Sequence, residues 1–131
     1  MSEPVKYELE FPIQSSPSML YKYLSTPSGL SEWFADDVNS RGELFRFIWE
    51  GSEDQAKLLT KKADEKIRLQ WSDDEEAGLK TYFEMRIQVD EITKDVSLMI
   101  TDFAESEDEV AEGKMLWENM ISDLKHVIGS P

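Results

Sequence analysis

The chain has 131 residues, 28 of them acidic and 14 basic, for a formal net charge of −14. Its 40% hydrophobic and 11% aromatic residues supply the apolar surface that charged disordered chains lack. It has no cysteine, which excludes a disulfide scaffold, a thiol nucleophile, a cysteine zinc site and an iron–sulfur cluster. A surface this acidic repels phosphates, so neither nucleic acid nor an anionic membrane is an expected partner. One domain spanning residues 1–131 is the expected organisation, because single domains most often hold roughly 100–150 residues. The segment Met1-Ser2-Glu3-Pro4 is acidic where a secretory signal is basic, and no apolar stretch follows it. No apolar run approaches the ~20 residues of a membrane helix. A cytoplasmic location is the expectation.

From Val5 to Ile13 the apolar residues fall on every odd position, which predicts a half-buried strand with its odd side chains inward. Ser16-Pro17 then reads as a serine N-cap with proline in the first turn, opening a short helix with Met19, Leu20, Tyr23 and Leu24 inward. Thr26-Pro27 repeats the signal, and Leu30, Trp33 and Phe34 form the inner face of a second short helix. After Asp37 the period changes to two. Phe45, Phe47 and Trp49 alternate with their neighbours, as do Ile67, Leu69 and Trp71; Phe83, Met85, Ile87 and Val89; and Val96, Leu98 and Ile100. A weaker strand is read from Gln55 to Lys62. Breaks at Ser40-Arg41-Gly42, Gly51 to Asp54, Asp64-Glu65, Asp73 to Gly78 and Thr93 to Asp95 imply antiparallel hairpins.

The chain closes on a long helix. Ser106 and Glu109 have capping-box spacing, acidic residues crowd the first turn, and Lys125 and His126 occupy the last. Val110, Gly113, Trp117, Met120, Ile121, Leu124, Val127 and Ile128 recur at helical spacing, and Gly129 is placed to stop the helix.

Strand, two short helices, antiparallel strands and a long terminal helix, with Leu20, Tyr23 to Pro27 and Leu30 to Phe34 between them, resemble the START-like (SRPBCC) superfamily. Within it, the segment is similar to the activator of heat-shock-protein ATPase homologues. The resemblance implies an α+β helix-grip fold, a curved antiparallel sheet wrapped on the C-terminal helix with two short helices after the first strand. Two departures stand out from that branch: Ala35 to Asn39 replaces a glycine-rich strand, and the terminal helix has no Gly-Trp pair.

For Trp33, Phe34, Phe47, Trp49, Trp71, Phe83, Met85, Trp117 and Met120 the ordinary reading is core packing. In a helix-grip fold the same residues are candidates to line a ligand cavity between sheet and helix. Both readings stay open, according to whether these side chains fill the space themselves. Arg46, Arg68 and Arg86 are read as outward charges paired with carboxylates. His126 is the single histidine, which excludes a triad and a histidine metal site, and it is read as a helix-end cation. Asp73 to Gly78 has a glycine at calcium-loop spacing, but Ala77 stands where a ligand oxygen belongs, so a solvated hairpin tip is expected. No cofactor is called for. The leading function is non-catalytic binding of a small apolar or amphipathic molecule. A protein-interaction module resembling the chaperone-ATPase activators is the rival, and an enzyme stands third because no acid/base constellation supports one.

Overall fold

The computed structural model describes residues 3–131. Strand β1 (Val5–Pro12) has its odd-numbered side chains covered, as alternation requires. Helices α1 (Pro17–Ser25) and α2 (Pro27–Leu30) start at the foreseen caps. Ser16 Oγ accepts from the Met19 N–H at 3.2 Å, and Thr26 Oγ1 accepts from the Gly29 N–H at 3.0 Å. The inner face of α1 differs from expectation. Met19 is 47% exposed, and Leu20, Tyr21, Leu24 and Ser25 are buried instead. Tyr21 donates its hydroxyl to the Lys66 carbonyl at 3.2 Å, and Ser25 donates to the Tyr21 carbonyl at 2.7 Å. These satisfied polar groups occupy the inward places that hydrophobicity had assigned to Met19. α2 is a single turn, and Trp33 and Phe34 lie beyond it, buried, in a turn closed by the Phe34 N–H on the Leu30 carbonyl at 2.8 Å.

Six further strands follow: β2 (Asp37–Arg41), β3 (Leu44–Trp49), β4 (Ser52–Lys62), β5 (Lys66–Trp71), β6 (Phe83–Val89) and β7 (Val96–Ala104). They complete one curved antiparallel sheet in the order β1-β7-β6-β5-β4-β3-β2. Two expected breaks are displaced. Ser40 and Arg41 belong to β2, with the turn at Gly42, and β4 begins at Ser52, with the turn at Gly51. Both glycines have positive φ (64° and 80°), a region other residues rarely adopt. The weak strand is the longest, 11 residues, with a bulge between Leu58 and Thr60. Asp73 to Gly78 lies in the solvent-facing connection between β5 and β6, as expected, but Ser72–Glu76 forms the short helix α3 there. Three carboxylates in its first turn suit the helix dipole, and Thr81 Oγ1 donates to Asp74 at 2.6 Å.

Register carries the core across the sheet. Leu9 pairs with Ile100, Ile100 with Met85, and Met85 with Ile67, which makes one inward row over four strands. Helix α4 (Glu107–Ile128) covers this face with Trp117, Ile121 and Leu124 buried. Its N-cap residue is Ser106, as expected, but the serine side chain makes no capping hydrogen bond. Its end is a Schellman closure: Gly129 is left-handed (φ 80°), and Ser130 N–H reaches the Lys125 carbonyl at 2.8 Å.

Candidate functional site

Helix α4 lies nearest to β1 and β7, at one side of the sheet. The inner face of β3, β5 and β6 is therefore left to the aromatic side chains, and a cleft of about 440 Å³ opens between them and the first half of α4. Phe34, Trp49, Trp71, Phe83 and Trp117 form its aromatic wall, and Leu116 and Met120 its helical side. The rings touch in sequence. Trp71 stacks on Phe83 at 5.0 Å between centroids, Phe83 on Phe34 at 5.8 Å, and Trp49 lies 6.3 Å from both Trp71 and Phe34.

Six of the nine residues singled out in the sequence meet here: Phe34, Trp49, Trp71, Phe83, Trp117 and Met120. The other three do not line the cleft. Phe47 and Met85 are fully buried beneath it, Phe47 wedged against Phe34 at 5.0 Å and Trp71 at 5.3 Å. Trp33 points the other way. Its indole N–H donates to the Tyr23 carbonyl at 2.8 Å and ties the turn after α2 to α1. Trp49 donates to the Phe34 carbonyl at 3.3 Å, whereas Trp71, among the described residues, has no partner for its indole N–H.

The polar side of the cleft centres on Asp102. Its Oδ2 accepts the Trp117 indole N–H at 2.8 Å and the Tyr7 hydroxyl at 3.4 Å, and its Oδ1 accepts the Phe103 N–H at 2.8 Å. Burial pushes the Asp102 carboxyl above the usual carboxylate range despite these three donors. Burial, and then the neighbouring Asp102 charge, raises the Tyr7 hydroxyl well above the ordinary phenol value. Gly113 is where α4 passes over Tyr7. A Cβ there would lie 3.0 Å from Tyr7 Cζ and closer still to its hydroxyl. Glu105, Glu109 and Glu112 stand at the rim.

Asp102 was missed, although the sequence carries its signal: Val96, Leu98 and Ile100 set an inward phase on which position 102 also falls. The rim glutamates had one too. Glu109, Glu112, Gly113, Leu116, Trp117 and Met120 form one helical stripe. The arginines are as read for Arg46, ion-paired to Glu53 at 2.6 Å, and for Arg68, paired to Glu84 at 2.9 Å and stacked 3.9 Å over Tyr82. Arg86 is exposed and makes no ion pair among the described residues.

A family model for the START-like superfamily domain matches residues 1–130. The chain belongs to the START-like superfamily. Among solved structures it is 34% identical to a Bacteroides fragilis protein determined by solution NMR, over 96% of this chain and 92% of that one, with a TM-score of 0.66. It is similar in fold to the Aha1 dimer from Colwellia psychrerythraea, at 20% identity over 95% of this chain and 96% of that one, TM-score 0.79. A Mesorhizobium loti protein shares the fold at 15% identity, 95% and 96% coverage, and TM-score 0.75. No curated protein matches the chain. Among the described residues, no helix is long and apolar enough to cross a membrane.

Proposed function

We propose that this START-like chain acts as one domain that binds a small apolar or amphipathic molecule in the cleft between sheet and α4, without catalysis. The observation that carries this reading is the aromatic-walled space itself. About 440 Å³ lies within the usual range of ligand pockets, roughly 300–1,000 Å³, and a few polar groups converge at one side of it. Phe34, Trp49, Trp71, Phe83, Trp117 and Met120 would contact the ligand. Phe47 and Met85 would support them from below.

The test is binding of an environment-sensitive apolar probe, followed by tryptophan emission and by the melting temperature. A ligand that prefers the native state raises that temperature by mass action. Replacing either Trp71 or Trp49 by Phe should reduce the emission change, and Trp33→Phe should leave it intact. If no apolar probe stabilises the protein, the rival reading gains. That rival is a protein-interaction module resembling the chaperone-ATPase activators, supported by the fold likeness to the Aha1 dimer and by Met115 and Leu116, 60% and 57% exposed on α4.

A further inference from the structure

The cleft has a pronounced polarity of charge. Among the described residues its walls include four carboxylates, Asp102, Glu105, Glu109 and Glu112, and no lysine, arginine or histidine. Asp102 has no cationic partner among the described residues and is held only by the Trp117, Tyr7 and Phe103 donors. Seven aromatic side chains line the same cleft, and the negative face of such a ring attracts a cation within about 6 Å of its centre. Carboxylate and aromatic ring thus favour the same sign of guest, and an anionic headgroup would meet only repulsion. On the helical side, Leu116 and Met120 offer an apolar strip, Leu116 exposed and Met120 half-buried against the core.

The geometry points to a positively charged amphiphile as the ligand class: an ammonium group seated between Asp102 and the aromatic wall, with its alkyl part along Leu116 and Met120. This rests on the cleft reading above and narrows it. A fatty acid or another anionic lipid is excluded as the preferred guest. The raised pKa of Asp102 agrees with a carboxylate short of a counter-charge, which the ligand would supply.

The experiment compares three probes of equal chain length, decyltrimethylammonium, decanol and decanoate, each kept below its aggregation limit at physiological ionic strength. Titration calorimetry and tryptophan emission give the affinities. The expected order is cation, neutral, anion, with the cation bound about tenfold more tightly than the alcohol. Asp102→Asn should erase that advantage, read as the ratio of cation to decanol affinity within the same variant. Because Asp102 is partly buried, the exposed double change Glu109→Gln with Glu112→Gln provides a second variant, expected to reduce the advantage severalfold. The protein's overall charge also attracts cations, so Glu43→Gln with Glu91→Gln, remote from the cleft, serves as the control and should change nothing. Equal binding of all three probes would overturn the charge inference and leave the cleft reading standing. So would a cation advantage that falls equally in the remote double variant, since the long-range field would then be its source. Binding of none of the three would overturn both readings.

Discussion

Trp117 joins the core to the cleft, and its removal separates the two contributions. The side chain is 5% exposed, lies 6.0 Å from Phe34 and 6.4 Å from Phe83, and donates its indole N–H to Asp102 at 2.8 Å. Deleting a large buried aromatic costs about 3–5 kcal/mol. One wall of the vacated space opens to the cleft, so water can enter and Trp117→Ala belongs in the lower part of that range. Trp117→Phe keeps most of the ring contact and loses only the hydrogen bond to a carboxylate, worth about 1.5–3 kcal/mol. The two losses therefore differ by the apolar remainder, roughly 1–2 kcal/mol. Urea unfolding measures both, with an unchanged m-value as the sign that only the native state was altered. In an Asp102→Asn background the cost of Trp117→Phe should shrink, because the acceptor is no longer a desolvated charge, and a double-mutant cycle gives the coupling directly. A loss from Trp117→Ala within about 0.5 kcal/mol, the level of a surface change, would refute the placement of this helix face against the sheet.

Gly113→Ala should destabilise the protein by about 1–3 kcal/mol despite the better helix propensity of alanine, since the new methyl collides with Tyr7; recovery of part of that loss in the Tyr7→Phe background checks the contact. The raised pKa of Asp102 means that its ionised form costs stability once the pH is above that value, and that the cost vanishes below the unfolded pKa. Wild type should therefore gain more stability than Asp102→Asn as pH falls towards the ordinary aspartate value of about 4; equal gains would show that Asp102 is not the group concerned. Glu53, held low by its hydrogen bond to Arg46, and Asp90, held low by the Thr93 and Ile92 N–H groups, act in the opposite sense, their contributions being lost as pH falls below the ordinary carboxylate values. With a net charge of −14, duplex DNA and anionic vesicles should show no salt-sensitive retention of the protein, and retention that falls with salt would expose a local basic patch.

Most of the fold was legible because most of its elements bury one face. Alternation marked β3, β5, β6 and β7, and Ser16, Thr26 and Gly129 marked helix ends through the donors and carbonyls they satisfy. β2 was not legible for the complementary reason. It is an edge strand in which only Val38 is buried, and its pairing is with the backbone of β3. α3 was masked by its own composition, since Asp, Glu and Gly near a strand end signal a turn as readily as a dipole-stabilised first turn. The candidate site was legible by residue type and strand phase, but not by depth. Phe47 and Trp49 share a phase along β3, yet one is fully buried and the other reaches the cleft. Depth depends on where α4 sits above the sheet, which no single strand encodes.

Four residues set that height. Gly113 lets the helix backbone come down onto Tyr7 with no side chain between them, and Tyr7 and Trp117 both converge on the Asp102 carboxylate from opposite elements. β1, β7 and α4 are thereby fastened at one side of the sheet by hydrogen bonds to a single charged acceptor. Among the described residues, the far side, over β3 and β5, has no equivalent clamp to α4, and the rings of Trp49 and Trp71 fill only part of the gap. Had the helix been centred on the sheet, Leu116 and Met120 would pack against those indoles and the core would close. The polar clamp and the apolar cleft are thus two consequences of one asymmetry, and an inward carboxylate on a core-facing strand is the residue that links them.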